Sequence, residues 1–210
     1  MPHADTPDRI NAINFRTVFR AVFIYFTFCR YSDYKDLTDQ DITDHGDHLE
    51  IIFKKSKNDQ FYKGTNSILT TTEGSSLCPV QLTRLYFKTF KLNFKTTGLK
   101  QQFLNFYLLK KGQSHTPLTS KSIVQSNATK HTKNLLKTYN VPNNLIAKFT
   151  EKSLKIAGVT ALLDSGEPLE NVSIAGRWKS THTPQHYRNT STFFRKKIAS
   201  NIPHTSNSHL

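Results

Sequence analysis

Acidic side chains are missing from more than a third of this chain: residues 74–150 hold no Asp or Glu, yet carry twelve Lys or Arg, from Arg84 to Lys148. Cysteine is scarce too. Cys29 and Cys78 lie in unrelated contexts that match no metal-ligand spacing, which excludes a disulfide-stapled scaffold and favours a reducing intracellular compartment, the nucleus in a eukaryotic cell. Long apolar runs are absent as well. The longest, Ala21–Phe28, falls far short of the roughly 20 residues that cross a bilayer, so no membrane partner is expected. The opening MPHADTPDR has neither a basic n-region nor an apolar h-region, which excludes a secretory signal there. No Gly-rich phosphate loop, zinc spacing, nucleophile-elbow serine or internal repeat occurs. Asp36, Asp39, Asp41, Asp44 and Asp47 invite a calcium loop, but counting from Asp36 or Asp39 the sixth position lacks glycine. They read as a solvated, acid-rich connection, and neither metal nor other cofactor is expected.

What the chain does have is charge of one sign. The formal net charge is +14, and seven of the fifteen acids crowd between Asp33 and Glu50. A long acid-free basic stretch makes a one-signed field suited to a polyanion. Nucleic acid is the expected partner, because phosphate neutralisation supplies most non-specific affinity. Hydrophobic content of 36% with 11% aromatics over 210 residues supports one folded domain with a substantial core.

Along the chain, Phe15, Val18, Phe19, Val22, Phe23 and Phe26 fall at helical spacing and predict an amphipathic helix over Asn14–Cys29. Arg30 closes that stripe, where it needs a carboxylate or an anionic ligand, and Ser32-Asp33 starts a second short helix. Leu49–Phe53 and Ser67–Thr72 read as strands of a hairpin, with Lys57 in its basic turn. Cys78-Pro79 opens a helix over Val80–Leu92. Phe103–Leu109 is extended or a short strand. Leu118-Thr119-Ser120 reads as an N-cap ahead of a polar helix running to about Tyr139. Its face, with Lys121, Lys130, Lys133 and Lys137, is a candidate DNA-backbone surface. Val141-Pro142-Asn143-Asn144 is a turn. A helical run carrying Lys152 and Lys155 follows, then a tight turn at Ser165-Gly166, a short helix and Gly176-Arg177-Trp178. Tyr187 comes nine residues after the tryptophan. Residues 14–199 form the expected domain, between a short extension (1–13) and a disordered tail (200–210).

Several of these features, in this order, resemble the tyrosine recombinases, also called the phage-integrase family, and most of all those of Crypton- and DIRS-type mobile elements. Arg30 with Ser32-Asp33 and Leu37 is similar to the family's first arginine motif. Lys57 in Ser-Lys-Asn-Asp-Gln resembles its hairpin lysine. Gly-Arg-Trp-Lys-Ser puts Trp178 at the His/Trp position, and Tyr187 follows at the usual interval. The family's His-x-x-Arg box falls on Lys152-Ser153-Leu154-Lys155, so both signature residues are replaced by lysine. The resemblance covers about Asn14–Asn189.

It implies a mainly α fold with a small antiparallel β-sheet, of the DNA breaking-rejoining type, acting on double-stranded DNA as a homo-oligomer. It also implies the chemistry. The tyrosine attacks a phosphodiester and forms a 3′-phosphotyrosyl link, releasing a 5′-hydroxyl, without metal or nucleotide. In those terms Tyr187 is the nucleophile and Arg30 holds the phosphate oxygens through its guanidinium fork. Lys57 is the general acid, and Trp178 either donates its N–H to a phosphate oxygen or packs the tyrosine's helix. Lys155 keeps a charge but loses the fork. Lys152 stands where the family has a histidine, and a lysine is a poor base at neutral pH. Reduced catalysis with surviving phosphate binding is the expectation. Only about 13 residues precede the first predicted helix, so the family's separate N-terminal DNA-clamping domain has no counterpart here. The chain is expected to be a fragment or to need a partner to encircle DNA.

Overall fold

The computed structural model describes residues 9–54, 65–75, 77–92, 94, 106–111 and 114–201. Everything is built on one helix, α1 (Arg9–Thr27). It starts five residues before the predicted start at Asn14, and it ends where Phe28 turns into the left-handed region at φ +51°. One face, with Phe19, Phe23 and Ile24, enters the core. Of the predicted stripe Phe19 and Phe23 are buried, whereas Val18 and Val22 are half-buried and Phe26 is exposed, because the buried face is turned toward Ile24. The same buried face is polar in part: Arg16, Thr17, Arg20 and Thr27, each 2% exposed or less, lie among those apolar side chains.

Helix α2 (Tyr31–Tyr34) follows directly, started by the Asp33 carboxylate, which accepts the Arg30 backbone N–H at 2.7 Å. Strands β1 (Ile42–Asp44), β2 (His48–Phe53) and β3 (Thr65–Thr70) make an antiparallel sheet in that order. Leu49, Ile51 and Phe53 alternate into the core, as period-2 patterning requires. The acid-rich connection is more structural than expected. Asp39 and Asp41 are buried, and Asp44 accepts a two-pronged contact from Arg84 at 2.7 and 2.8 Å, which holds its carboxyl below the ordinary value. Arg84 belongs to α3 (Pro79–Phe90), whose Tyr86, Phe87 and Phe90 complete the aromatic core around Phe19.

A two-stranded ribbon comes next, β4 (Phe106–Lys111) with β5 (Ser114–Ser122). This corrects the predicted cap at Leu118-Thr119-Ser120, which lies inside β5. Threonine and serine suit strands and caps alike, and the actual N-cap of α4 (Gln125–Thr138) is Val124. Lys121 is therefore on the ribbon, not on the helix with Lys130, Lys133 and Lys137. The predicted turn at Pro142 opens a further short helix, α5 (Asn143–Lys148).

The remainder is helical: α6 (Glu151–Asp164), α7 (Leu169–Ala175), α8 (His182–Thr190) and α9 (Thr192–Ser200). Gly166, at φ +98°, makes the tight turn after α6. Helix α6 crosses α1 at Gly158, where an added Cβ would lie 2.0 Å from the Tyr25 carbonyl oxygen. Only glycine permits that approach. A second, smaller cluster of Phe28, Val159, Leu163 and Val172 forms at this crossing, with Trp178 and Tyr187 packed on it. The predicted tail lies, beyond Asn201, outside the described residues. Among the described residues no helix is long and apolar enough to cross a membrane, and no cluster of His, Cys, Asp and Glu is arranged to hold a metal.

Candidate active site

Arg30 sits at the break between α1 and α2, Lys152 and Lys155 on the first turn of α6, Trp178 in the turn after α7, and Tyr187 on α8. Lys57 lies outside the described residues. Three cations come together: Arg30, Lys152 and Lys155 line one pocket of about 150 Å³, with Tyr31, Tyr34 and Glu151. Arg30 and Lys152 are exposed, whereas Lys155 is only 3% exposed. The Arg30 guanidinium makes no ion pair with the described carboxylates.

Lys155 links the pocket to the aromatic pair. Its Nζ lies 4.7 Å from the Trp178 ring centroid, a cation–π contact. The Trp178 and Tyr187 rings are 6.2 Å apart and tilted by 47°. Trp178 Nε1 is buried with no hydrogen-bond partner among the described residues, a donor left for an acceptor such as a phosphate oxygen. Tyr187 is half-buried.

Burial, then the nearby charges of Arg30 and Arg177, lower the Lys155 amine from the ordinary 10.5 to about 8. Its charge is thus present below about pH 8 and lost as pH rises through it. Because the unfolded lysine keeps its proton up to the ordinary value, burying this charge weighs against folding most fully below about pH 8 and is relieved above it. Trp178 is the only tryptophan, so the titration has a built-in reporter. Its fluorescence is expected to step with a midpoint near pH 8, and the step should vanish in Lys155→Met. A pH titration of emission checks this, and an unchanged step in the variant would sink the assignment.

Two features escaped sequence reasoning. The first is a buried polar network beneath the pocket. Glu151 accepts from the Tyr34 hydroxyl at 2.8 Å and Thr132 Oγ1 at 3.4 Å, and lies 3.6 Å from Arg20 Nε. Arg20 donates onward to Ala128 O at 2.6 Å and Thr132 Oγ1 at 2.9 Å. α1, α2, α4 and α6 are thereby tied together at the start of the helix that carries both lysines. Burial, then Glu151, pushes the Tyr34 phenol well above its ordinary value, so it stays a donor.

The second is Arg177. The Gly-Arg-Trp turn folds the indole over Gly176, where an added Cβ would come within 2.1 Å of the ring. Arg177 takes the left-handed backbone at φ +56° and buries its guanidinium, 4% exposed as a side chain. Nη1 donates to Thr27 O at 3.0 Å and to Ser67 Oγ, and the group lies 4.1 Å over the Phe53 ring. Nη2 is 4.0 Å from Asp33 Oδ2.

No protein-family model and no curated protein matches the chain. Solved structures do. The XerH site-specific recombinase bound to palindromic difH substrate, a post-cleavage complex, superposes with a TM-score of 0.61 at 15% identity, over 91% of this chain and 50% of that one. The Tn1549 transposon integrase in complex with transposon right end DNA gives 0.55 at 15% identity, over 88% and 58%. The XerA recombinase gives 0.57 at 13% identity, over 97% and 67%. This chain spans about half the length of XerH. Together these likenesses show the fold: a mainly helical domain with a small antiparallel sheet, the tyrosine recombinase catalytic-domain fold.

Proposed function

We propose that this chain is a DNA-binding, tyrosine recombinase-like protein of mobile-element origin, acting as a homo-oligomer on DNA, whose Tyr187 forms a 3′-phosphotyrosyl link. The observation that carries it is the convergence of Arg30, Lys152 and Lys155 on one pocket, with Lys155 against the indole that abuts Tyr187. In this reading the Tyr187 oxygen attacks phosphorus, the P–O5′ bond breaks, and the leaving 5′-oxygen takes a proton from Lys57 while the phenol proton passes to solvent. Attack by a 5′-hydroxyl reverses the step. Arg30 and Lys155 neutralise the charge that builds on the non-bridging oxygens, and Trp178 Nε1 donates to one of them. A broad groove between α4 and α5, about 920 Å³ and lined by Lys130, Lys133 and Lys137, supports a DNA-backbone surface beside the site. One of those lysines is partly committed, since Lys133 Nζ donates to Ala147 O at 3.2 Å.

A second reading, a degenerate copy that binds DNA without cutting it, is favoured by one observation. The buried cation beside Trp178 is an ammonium that loses its charge near pH 8, where a guanidinium would keep it. A nicked suicide duplex tests the first reading. A slow covalent adduct, resolved on a denaturing gel, is expected from the wild type and none from Tyr187→Phe. An adduct that survives in the variant would remove Tyr187 from the mechanism. No adduct from the wild type would favour the second reading.

A further inference from the structure

We propose that Arg177 is a positioning residue: its buried guanidinium holds the Asp33–Arg30 turn and the Trp178 indole in register with the sheet. This rests on the reading of Arg30 and Trp178 as site residues.

The geometry is that of a keystone between elements distant in sequence. Arg177 bonds the last carbonyl of α1 at Thr27 and the β3 side chain of Ser67, and stacks on β2 through Phe53. Phe53 and Ser67 lie on the two paired strands that flank residues 55–64. On its remaining side Arg177 faces Asp33, the one carboxylate within ion-pair reach of it among the described residues. Asp33 in turn accepts the Arg30 backbone N–H at 2.7 Å and the Ser32 hydroxyl at 3.3 Å. Arg177 therefore reaches Arg30 through one carboxylate and Trp178 through one peptide bond.

The local backbone argues the same way. A non-glycine residue in the left-handed region is strained and persists where its surroundings over-determine it. Here the positive φ sends the Arg177 side chain into the sheet, while Gly176 leaves room for the indole to fold back over it. Both side chains of the Arg177-Trp178 pair are fixed by that single turn. A surface arginine would need none of this. An arginine placed to bind phosphate directly would not be buried with Nη1 committed to Thr27 and Ser67 and its plane stacked on Phe53. Arg177 thus acts on the site without touching a substrate.

The test compares Arg177→Met, Arg177→Lys and Ser67→Ala with wild type, using the fluorescence of Trp178 and the nicked duplex. In Arg177→Met the emission is expected to shift to the red, and acrylamide quenching to rise. The step near pH 8 should move upward, because a neighbouring positive charge that depresses the Lys155 amine has gone. Arg177→Lys should keep the low midpoint but not the emission maximum, since it restores charge without the fork. Ser67→Ala, which removes one anchor and cannot prevent folding, should shift emission in the same direction by less. If wild type forms the adduct, Arg177→Met should form it on the order of 10² more slowly, the scale set by small misplacements of reacting groups. Affinity for intact duplex should stay within about threefold, because phosphate contacts elsewhere supply most of the binding. If wild type forms none, the recombinase reading fails while the fluorescence arms still decide this one. Wild-type emission, quenching and midpoint in Arg177→Met and Ser67→Ala would overturn it, as would a Met variant whose adduct rate equals wild type.

Discussion

Restoring the guanidinium at position 155, in the double variant Lys152→His, Lys155→Arg, is expected to raise the rate of adduct formation on a nicked duplex by on the order of 10²–10³, the usual cost of one lost preorganised transition-state donor. The reason is geometric as well as electrostatic. An arginine presents two parallel N–H groups to two phosphate oxygens, whereas the lysine offers a point charge. Here the lysine is also buried beside Arg30 and Arg177, which lowers its amine to about 8. Part of the population is therefore neutral just above neutral pH. The substitution should raise the rate and flatten its dependence on pH between about 7 and 9, since guanidinium does not titrate there. Quenched-flow or gel-based rates across that range check both. A double variant no faster than wild type would place the limiting defect elsewhere.

Glu151→Ala is expected to destabilise the fold by about 3–5 kcal/mol, the cost of leaving one partner of a buried ion pair uncompensated. At roughly 2–4 °C per kcal/mol for a domain of this size, the melting temperature should fall by about 10 °C. Arg20 is fully buried and would keep its charge with no carboxylate beside it, while Tyr34 would lose its acceptor. Glu151→Gln should cost less, because an amide oxygen still accepts from Tyr34. An Arg20→Met, Glu151→Leu pair should recover most of the loss, since well-packed apolar replacements of buried pairs are often neutral. Thermal and denaturant unfolding measure all three. A loss from Glu151→Ala of under about 1 kcal/mol would show the pair to be screened by solvent, contrary to its burial.

The fold was legible in the chain wherever burial follows a single period. The buried face of α1 is turned away from the predicted stripe, leaving Phe26 exposed and burying Ile24, whereas the alternation in β2 and the Pro79 start of α3 read directly from the sequence. The ribbon did not, because the Thr and Ser of β5 carry the same signals as a helix cap and the real cap, Val124, carries none. The site was legible only in part. The intervals joining Lys155, Trp178 and Tyr187 pointed to residues that do meet, and Arg30 and Lys152 meet Lys155 at a pocket that the Trp178 and Tyr187 rings do not line. Arg20, Glu151 and Arg177 were not visible, because a buried charge looks like a surface charge until its partner is known. For Arg177 the missing datum was the sign of one backbone angle. A signal was available in principle: Gly-Arg-Trp puts a residue free to turn beside one that needs room.

The bond from Arg177 to the Thr27 carbonyl spans 150 residues of chain, and that separation sets an order of events. Emerging from a ribosome at about 5–20 residues per second, α1 would wait roughly 8–30 seconds for the residue that locks its end. During that interval its polar side chains, Arg16 and Arg20 included, have neither α4 nor α6 to pack against. Contacts this distant in sequence also make slow folding steps, because loop closure must precede their reward. The pocket is therefore among the last parts of the molecule to exist. A chain cut short between Leu92 and Gly176 carries the residues of the aromatic core and the sheet, but lacks the one that locks the end of α1.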